Sequence, residues 1–515
     1  MINALNPLYK PPTRHMLSNH FVPAWYNVEK QNVKSALEKA SKVAITSDGW
    51  TSICQDHYLT VTAHYITEGR MQQNVLVTKA VYRAQTGDVV AEEIGDVLDE
   101  YGIREKVSAI TVDNAANMDV AVKKLHIIKI GCFAHTLNLA AQTIYTLNSV
   151  AKWAAKIREV VVWMKRSSMA KVVLREKQDL LKIDKNSLLL DVKTRWNSLF
   201  LMIERFLQQH SALQAASLDP RLRKPMERDR LSKLTNEDYR KAEEFIELME
   251  ILYTSTLCAS NEKSSTCGQV LPILQKLKNH FTVRDGDSLF VSCLKKTIWT
   301  DLSKRYQTDQ VRNFLGEATA MDPRFKHTLE EEDAEEDKTV WSRIKEKILA
   351  AHDPAETEQL TEPGVFGKEG RKQTDEPRGE ESEESEDETV SLQTRKKMKL
   401  TPLEKLFAED DILKLNTIKR VAAAAPAIKI RAEKELEMYK ALPPALTSED
   451  PSAWWWRKRD VYPLLSDLAL SYLCVQASST PSERVFSTAG DTISTERSRI
   501  LPEKADMLIF LFKNC

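Results

Sequence analysis

The first third of the chain alternates apolar, β-branched runs with polar breaks, a pattern typical of strands separated by turns and helices. Between the runs, apolar residues recur every three to four positions, which indicates amphipathic helices. After a helix at 28–42, the pattern predicts strands over 43–46, 58–67, 75–82, 107–112 and 127–130, with helices over 89–101 and 115–125. A long helical region is expected to start near Phe133.

This order, three strands and then alternating helices and strands, is that of the ribonuclease-H-like fold, in which the first and fourth strands lie side by side. Asp48 and Asp113 come at the predicted C-terminal ends of those two strands. Neighbouring strands are about 4.8 Å apart, so both carboxylates can reach one pair of metal ions. We therefore expect Asp48 and Asp113 to face a common point.

The middle of the chain has two different compositions. Residues 140–349 show helical periodicity almost throughout, with apolar residues on one face. Residues 353–400 are poor in aromatic residues and rich in Glu, Ser, Gly and Pro, which predicts disorder. The basic cluster at 395–399 is either a nuclear localisation signal or the charge-balancing end of a linker. A further helix at 430–442 ends before Pro443.

The last 65 or so residues carry the densest aromatic and apolar sequence, including three successive tryptophans, Trp454, Trp455 and Trp456. Three neighbouring positions cannot share one face of a helix. At least one of these rings should therefore pack outside the core of its own domain, which suggests a contact between subunits or domains.

Charge and cysteine content narrow the classes of protein. The 74 basic and 74 acidic residues cancel, so any DNA contact must come from local patches or a separate module. The seven cysteines are scattered and never form Cys-x-x-Cys, which indicates a reducing compartment without a structural zinc site. We expect no membrane span, no secretion signal and no small-molecule substrate.

Several short motifs, taken in order, resemble those of the hAT transposase superfamily and of its zinc-finger BED-type relatives. The motifs are Ser47-Asp48-Gly49-Trp50-Thr51, Val112-Asp113-Asn114-Ala115-Ala116-Asn117, Cys132-Phe133-Ala134-His135-Thr136-Leu137-Asn138-Leu139, Thr194-Arg195-Trp196-Asn197-Ser198, Met321-Asp322-Pro323-Arg324-Phe325, Ser482-Glu483-Arg484-Val485-Phe486-Ser487 and Arg497-Ser498-Arg499-Ile500. Each motif is weak alone, and their shared order through most of the chain makes the resemblance specific.

The resemblance implies a ribonuclease-H-like α/β domain that a large helical insertion interrupts and a C-terminal dimerisation segment completes. It implies Asp48, Asp113 and Glu483 as a catalytic, metal-binding triad, with Mg²⁺ or Mn²⁺ as cofactor if the protein is active. It further implies two sets of contact residues. Those for DNA are Cys132, His135, Arg195, Trp196 and Arg484, and those for dimerisation are Trp454, Trp455, Trp456, Leu468 and Phe486.

The same resemblance predicts the division of the chain. A linker that follows a BED finger covers 1–40, and the finger itself is missing, which reflects either a truncated product or a protein that works without it. The remaining segments are the first part of the ribonuclease-H-like domain at 41–140, the helical insertion at 141–350, the disordered linker at 351–400, the return of the insertion at 401–445 and the dimerisation region at 446–515.

Structural roles compete with these functional ones. Asp48 can form an Asx-turn, and Asp113 can cap the following helix. Glu483 fits a capping box that begins at Thr480, with Pro481 at the first helical position. Cys132 and His135 are better explained by packing than by zinc, because two further ligands are not evident. Trp196 is more often a core residue than a base-stacking platform.

Three functions follow as hypotheses. The leading one is a domesticated, nuclear protein that forms a homodimer or higher oligomer, associates with DNA or chromatin and regulates transcription. The second is an active transposase in which Asp48, Asp113 and Glu483 hold two metal ions for strand cleavage and transfer. The third is a role in SUMO ligation, which is assigned to some BED-type relatives and has no independent support in these residues.

Overall fold

A computed structural model describes residues 12–52, 54–192, 195–229, 231, 234–306, 308–329, 334–352, 428–493 and 500–515, with only the backbone of 334–337. The disordered segment predicted at 353–400 and its basic cluster lie outside these residues. The chain divides into two compact units, one of residues 1–344 with 438–515 and one of residues 345–437. The candidate site lies wholly in the first unit.

Five strands form one mixed sheet in the order β3-β2-β1-β4-β5. The strands are β1 (Val43–Thr51), β2 (His57–Thr67), β3 (Arg70–Ala80), β4 (Val107–Val112) and β5 (Lys129–Gly131). The first three pair antiparallel, whereas β4 runs parallel to both β1 and β5. The five predicted strands and the adjacency of the first and fourth are therefore confirmed.

Helices cover the sheet and fill the rest of the described chain. Those of the first third are α1 (Val22–Lys39), α2 (Gly87–Glu100) and α3 (Ala116–Leu125). A helical block follows with α4 (Phe133–Gln142), α5 (Asn148–Arg166), α6 (Ser168–Leu180), α7 (Trp196–Gln208), α8 (His210–Ser217), α9 (Pro220–Arg228), α10 (Asn236–Ala259), α11 (Val270–Phe281), α12 (Leu289–Leu302), α13 (Asp309–Ala320) and α14 (Ala334–Ala350). The C-terminal helices are α15 (Ile428–Ala441), α16 (Pro451–Lys458), α17 (Pro463–Leu473), α18 (Thr480–Thr492) and α19 (Pro502–Asn514).

Two apolar clusters hold the helices that surround the sheet against it. The larger one joins residues of β1, β2 and β4 to α1, α2 and α3, with Ile45, Ile94 and Ile110 fully buried. The smaller one joins Tyr58 and Val75 of the sheet to α18 and α19. Burial of apolar surface is the main favourable contribution to folding, so the C-terminal helices are part of the core of the sheet domain.

The motif 321–325 ties the helical block to the C-terminal part of the chain. Asp322 accepts hydrogen bonds from Arg324, with a shortest distance of 2.7 Å, and both side chains are buried. The buried Lys326 ammonium donates to the carbonyl oxygens of Tyr439, Lys440 and Leu442 at the end of α15. A cation at a helix C-terminus compensates the unpaired carbonyl groups there, so Lys326, which directly follows the motif, has a structural role.

Candidate functional site at the carboxylate edge of the sheet

Asp48 and Asp113 occupy equivalent places on adjacent strands. In the parallel pairing of β1 with β4, Thr46 lies opposite Thr111. Asp48 lies two residues after Thr46, and Asp113 lies two residues after Thr111. Both aspartates are half-buried. The expectation that the two carboxylates meet at one edge of the sheet therefore agrees with the strand register.

The local setting of Asp48 differs from the prediction that its strand ends there. β1 continues to Thr51, and Asp48 lies opposite Thr60 in the antiparallel ladder with β2. The reason is that β2 keeps pairing with β1 after the parallel pairing with β4 has stopped at Thr46. The Asp48 carboxylate Oδ1 accepts the N–H of Gly49 at 2.8 Å.

Asp113 does not cap the helix that follows it. Its Oδ1 accepts the N–H of Ala115 at 3.0 Å, which is an Asx-turn geometry. The N-cap of α3 is Ala115, which makes no side-chain capping bond. The capping alternative is thus wrong for Asp113, whose carboxylate forms the type of turn that was predicted for Asp48.

The third carboxylate reaches this edge because residues 476–482 return to the sheet. The Thr111 hydroxyl donates to the Gln476 carbonyl at 2.6 Å, and the Phe133 N–H donates to the Ala477 carbonyl at 2.7 Å. These bonds hold the segment beside the ends of β4 and β5. Glu483 follows in the first turn of α18.

A buried chain of hydroxyl groups fixes α18 to the sheet next to both acids. Ser482 hydrogen-bonds Thr46 at 2.7 Å, and Thr46 hydrogen-bonds Thr62 at 2.5 Å. The Nε2 atom of His64 lies 3.0 Å from the Thr62 hydroxyl, and burial lowers the pKa of His64 to about 3. These positioning groups were missed from the sequence, although polar residues at every second position of β2 (Thr60, Thr62 and His64) were a visible signal.

Glu483 is not part of a capping box. The N-cap of α18 is Ser479, one residue before the predicted Thr480, and it makes no side-chain capping bond. Pro481 therefore lies one position deeper in the first turn than predicted, and the spacing that a capping box needs is lost. The capping alternative for Glu483 is wrong.

Electrostatics links the three acids. Burial, the charge of Glu483 and, to a smaller extent, that of Asp113 raise the pKa of Asp48 to about 8, against the hydrogen bond from Gly49, which lowers it. Asp48 therefore carries a proton at neutral pH in the metal-free protein. A strongly perturbed carboxyl group beside two other carboxylates is a recognised mark of a functional site.

The three side chains are nevertheless not gathered as the ligands of one ion. Within the described residues, no group of three His, Cys, Asp or Glu side chains is placed to hold a metal. Asp48 and Asp113 each turn one oxygen toward a backbone N–H instead. Carboxylate oxygens are suitable ligands for Mg²⁺ or Mn²⁺, but this arrangement assigns no metal.

Cys132 and His135 lie in the joint between α4 and the returning segment. The fully buried Cys132 caps α4, where its Sγ accepts the N–H of His135 at 3.4 Å, and it also accepts the N–H of Ser479 at 3.3 Å. His135 is half-buried. The packing explanation agrees with this geometry, and a role in DNA binding stays a prediction.

Trp196 is a core residue of the helical block in this structure. Its side chain is 1% exposed and meets Phe200 edge to face, with ring centroids 6.3 Å apart. An extruded base cannot stack on a ring in this position, so the packing alternative agrees with the structure. Arg195 is exposed at the start of α7, and Arg484 is half-exposed, with one guanidinium nitrogen 3.0 Å from Glu262.

The residues predicted for dimerisation divide into buried and accessible ones. Trp454 and Trp455 are 9% and 0% exposed and pack with Tyr439 and Tyr462 inside one chain. Trp456 is 36% exposed, so the three rings do not share one face, as predicted. Leu468 is half-buried, and the Phe486 ring stacks on Trp50 at 5.7 Å between centroids. Trp454 and Trp455 contribute to the monomer core, and a subunit contact stays a prediction.

Three protein-family models match the chain. They are the ZBED1 RNase-like domain over residues 46–130, the ZBED1 RNase-like helical domain over residues 130–247 and the hAT family C-terminal dimerisation region over residues 434–515. No BED finger is among the matched models. The chain therefore matches an hAT C-terminal dimerisation region and RNase-like domains of the ZBED1 type, and its relatives are zinc-finger BED proteins and hAT transposases.

Individual relatives agree with this assignment. The human "Zinc finger BED domain-containing protein 4" is 24% identical across 100% of this chain and 41% of its own length. The "Putative transcriptional regulator tpeD" of Talaromyces stipitatus is 23% identical over 97% of this chain and 57% of its own length. The "Putative AC transposase" of Zea mays is 26% identical over 43% of this chain and 29% of its own length. The chain thus spans about two fifths to three fifths of the first two relatives.

Proposed function

We propose that this protein is a domesticated, hAT transposase-derived nuclear protein that homodimerises through its C-terminal region, associates with DNA or chromatin and regulates transcription. The observation that carries the proposal is the match of residues 434–515 to the hAT dimerisation region. Relatives named as BED zinc-finger proteins and as a transcriptional regulator support the nuclear role. Among the described helices, none has both the length and the apolar character needed to cross a bilayer.

The proposal includes the architecture. The sheet order, the helical block after β5 and the hydrogen bonds of residues 476–482 to β4 and α4 support a ribonuclease-H-like domain interrupted by a helical insertion. In this arrangement the C-terminal helices complete the core and carry Glu483 to the carboxylate edge. The same helices then have two roles, because they also present the surface for a second chain.

Trp456 is the residue through which dimerisation is best tested. It is the accessible member of the tryptophan triplet, and its ring lies 4.1 Å from the guanidinium of Arg459. Exposed aromatic and Arg side chains are enriched at the energetic centres of interfaces. We expect Trp456→Ala to shift light scattering from dimer toward monomer while thermal unfolding is retained.

The control for this experiment is Trp25→Ala, which removes an exposed tryptophan on α1, outside the matched dimerisation region. Trp25→Ala should leave the dimer intact. A wild-type protein that is monomeric at micromolar concentration would contradict the proposal, and an unchanged dimer in Trp456→Ala would remove this residue from the interface.

A second candidate is a metal-dependent transposase or nuclease, favoured by the raised pKa of Asp48 beside Glu483 and Asp113. An active enzyme would need Mg²⁺ or Mn²⁺ at those three side chains for Lewis-acid activation of the phosphodiester, although in this structure they are not gathered as the ligands of one ion. Cleavage of hairpin or nicked DNA should then be lost in Glu483→Gln and kept in Glu503→Gln, which changes an exposed glutamate in the first turn of α19. Inactivity of the wild type with either metal would favour the domesticated protein. A role in SUMO ligation stays a third alternative, and no contact among the described residues favours it.

A further inference from the structure

A cavity of about 250 Å³ lies beside Arg484, the residue that follows Glu483. Strand β3, the loop after α10, and helices α18 and α19 each contribute to its wall. The polar and charged residues that line it are Gln73, Glu262, Lys263, Arg484 and Lys513. All of them lie in the first compact unit.

The charges around this cavity do not balance. Arg484 is paired with Glu262 at 3.0 Å, which leaves the Lys263 and Lys513 ammonium groups without a carboxylate partner among the described residues. Among the residues that the structure describes, the Lys513 Nζ makes a long contact of 3.5 Å with the carbonyl oxygen of Arg484 and approaches the Phe512 ring. Three cationic side chains from three elements therefore share one concave surface with a single acid.

An anion relieves this excess of positive charge. Cations held around a partly enclosed surface are screened less by salt than isolated surface charges, so their mutual repulsion favours a bound counter-charge. Lysine ammonium groups are point-charge partners for phosphate, and a guanidinium held by Glu262 presents its remaining N–H donors in a fixed direction. The Gln73 amide adds a neutral donor on the β3 side.

We propose that this cationic cavity binds a phosphate group of a nucleic-acid backbone. The inference rests on the proposed DNA association and adds the place where the backbone is held. The chain as a whole has equal numbers of basic and acidic residues, so binding requires a local cluster of this kind. Its Arg484 directly follows Glu483, which places the held phosphate beside the helix turn that carries one acid of the carboxylate edge.

The test compares Lys263→Gln/Lys513→Gln with the control Lys39→Gln/Lys123→Gln in the full chain. The control removes the same charge from exposed lysines at the ends of α1 and α3. Fluorescence anisotropy with a labelled duplex of arbitrary sequence gives the affinity at several salt concentrations. One lost phosphate contact lowers the salt slope by about 1, which corresponds to about tenfold weaker binding near 0.1 M salt.

We expect the weaker binding and the smaller salt slope in the cavity variant. The control should keep the affinity and the salt slope of the wild type. Equal affinity and slope in wild type, control and cavity variant would overturn the inference while leaving DNA association standing. A wild-type protein that binds no DNA would overturn both the inference and the proposed association. Calorimetry with inorganic phosphate distinguishes the source of the ligand: saturable phosphate binding that is lost in the cavity variant, with DNA binding unchanged, would assign the cavity to free phosphate and overturn the nucleic-acid claim.

Discussion

At the scale of single residues, Asp48 combines two conditions that oppose its ionisation. It is largely withdrawn from water, and it lies near the negative charges of Glu483 and Asp113. Among the described residues, the Asp48 carboxylate accepts a hydrogen bond from the Gly49 N–H alone. A cation at this edge would offset the repulsion, and without one the carboxyl group holds a proton.

This predicts an unusual pH dependence for Asp48→Asn. The folded pKa of about 8 lies above the ordinary value of 3.8, so the folded state binds more protons than the unfolded state between these values. Stability from this group is therefore fully present below about pH 4 and is lost as the pH rises toward 8. Asp48→Asn cannot ionise, so its stability relative to wild type should increase across this range.

Urea unfolding at pH 5, 7 and 9 in a chelating buffer measures the effect. Asp96→Asn, which changes an exposed carboxylate on α2, is the matched control. A wild type that gains stability over Asp48→Asn as the pH rises would show that the Asp48 carboxyl group is not raised in pKa by its neighbours.

Whether a site residue could be predicted from the sequence depends on how far apart in the sequence the interacting residues lie. Asp48 and Asp113 were predicted from local strand patterns, because parallel neighbours bring equivalent positions together. Glu483 came from the family resemblance, since no local pattern shows that residues more than 300 positions apart in sequence meet. The capping alternative for Glu483 failed because the helix begins at a different residue, and helix boundaries depend on tertiary contacts such as that of Ser482 with Thr46.

At the scale of elements, the edge strand β3 is protected by the last helix. The Asp506 carboxylate accepts the N–H of Thr78 at 2.7 Å, and the Asn514 side chain bonds both the N–H and the C=O of Val75. Open strand edges are sites for unwanted pairing with other chains. Asp506 and Asn514 are about two helical turns apart, which explains how one helix bonds Val75 and Thr78, two strand residues three positions apart. Nothing in the sequence of α19 alone reveals this pairing.

The turn between β2 and β3 allows a sharp test of how α16 packs on the sheet. Gly69 has a φ of 72°, and a Cβ atom there would lie 2.5 Å from the Cβ of Trp456. Gly102 has a similar φ of 64° with nothing within 4 Å. Gly102→Ala should cost about 1–2 kcal/mol of unfolding free energy from backbone strain alone.

Gly69→Ala should cost the same backbone strain and, in addition, about 1–3 kcal/mol of unfolding free energy from overpacking against Trp456. Denaturant unfolding of both variants gives the difference. Equal losses in the two variants would mean that α16 does not lie against the turn.

At the scale of the whole molecule, the C-terminal region completes the core around the sheet of its own chain. Trp455 donates its indole N–H to the Met321 carbonyl at 2.8 Å, and α18 and α19 bury Val485 and Ile509 against the sheet. The aromatic density of this region predicted a contact between subunits or domains for at least one of the three tryptophans. Trp454 and Trp455 pack within one chain, and such a contact stays a prediction for Trp456. The proposed dimer would therefore use side chains that the monomer core leaves accessible, such as Trp456.

The central claim is that the chain is a dimer that associates with DNA. The most direct measurement is sedimentation velocity of the full chain with a labelled DNA duplex, which reports the mass of the free protein and of the complex together. We expect a free dimer and a complex in which two chains move with the duplex. A monomer that sediments independently of the DNA at every protein concentration would contradict it.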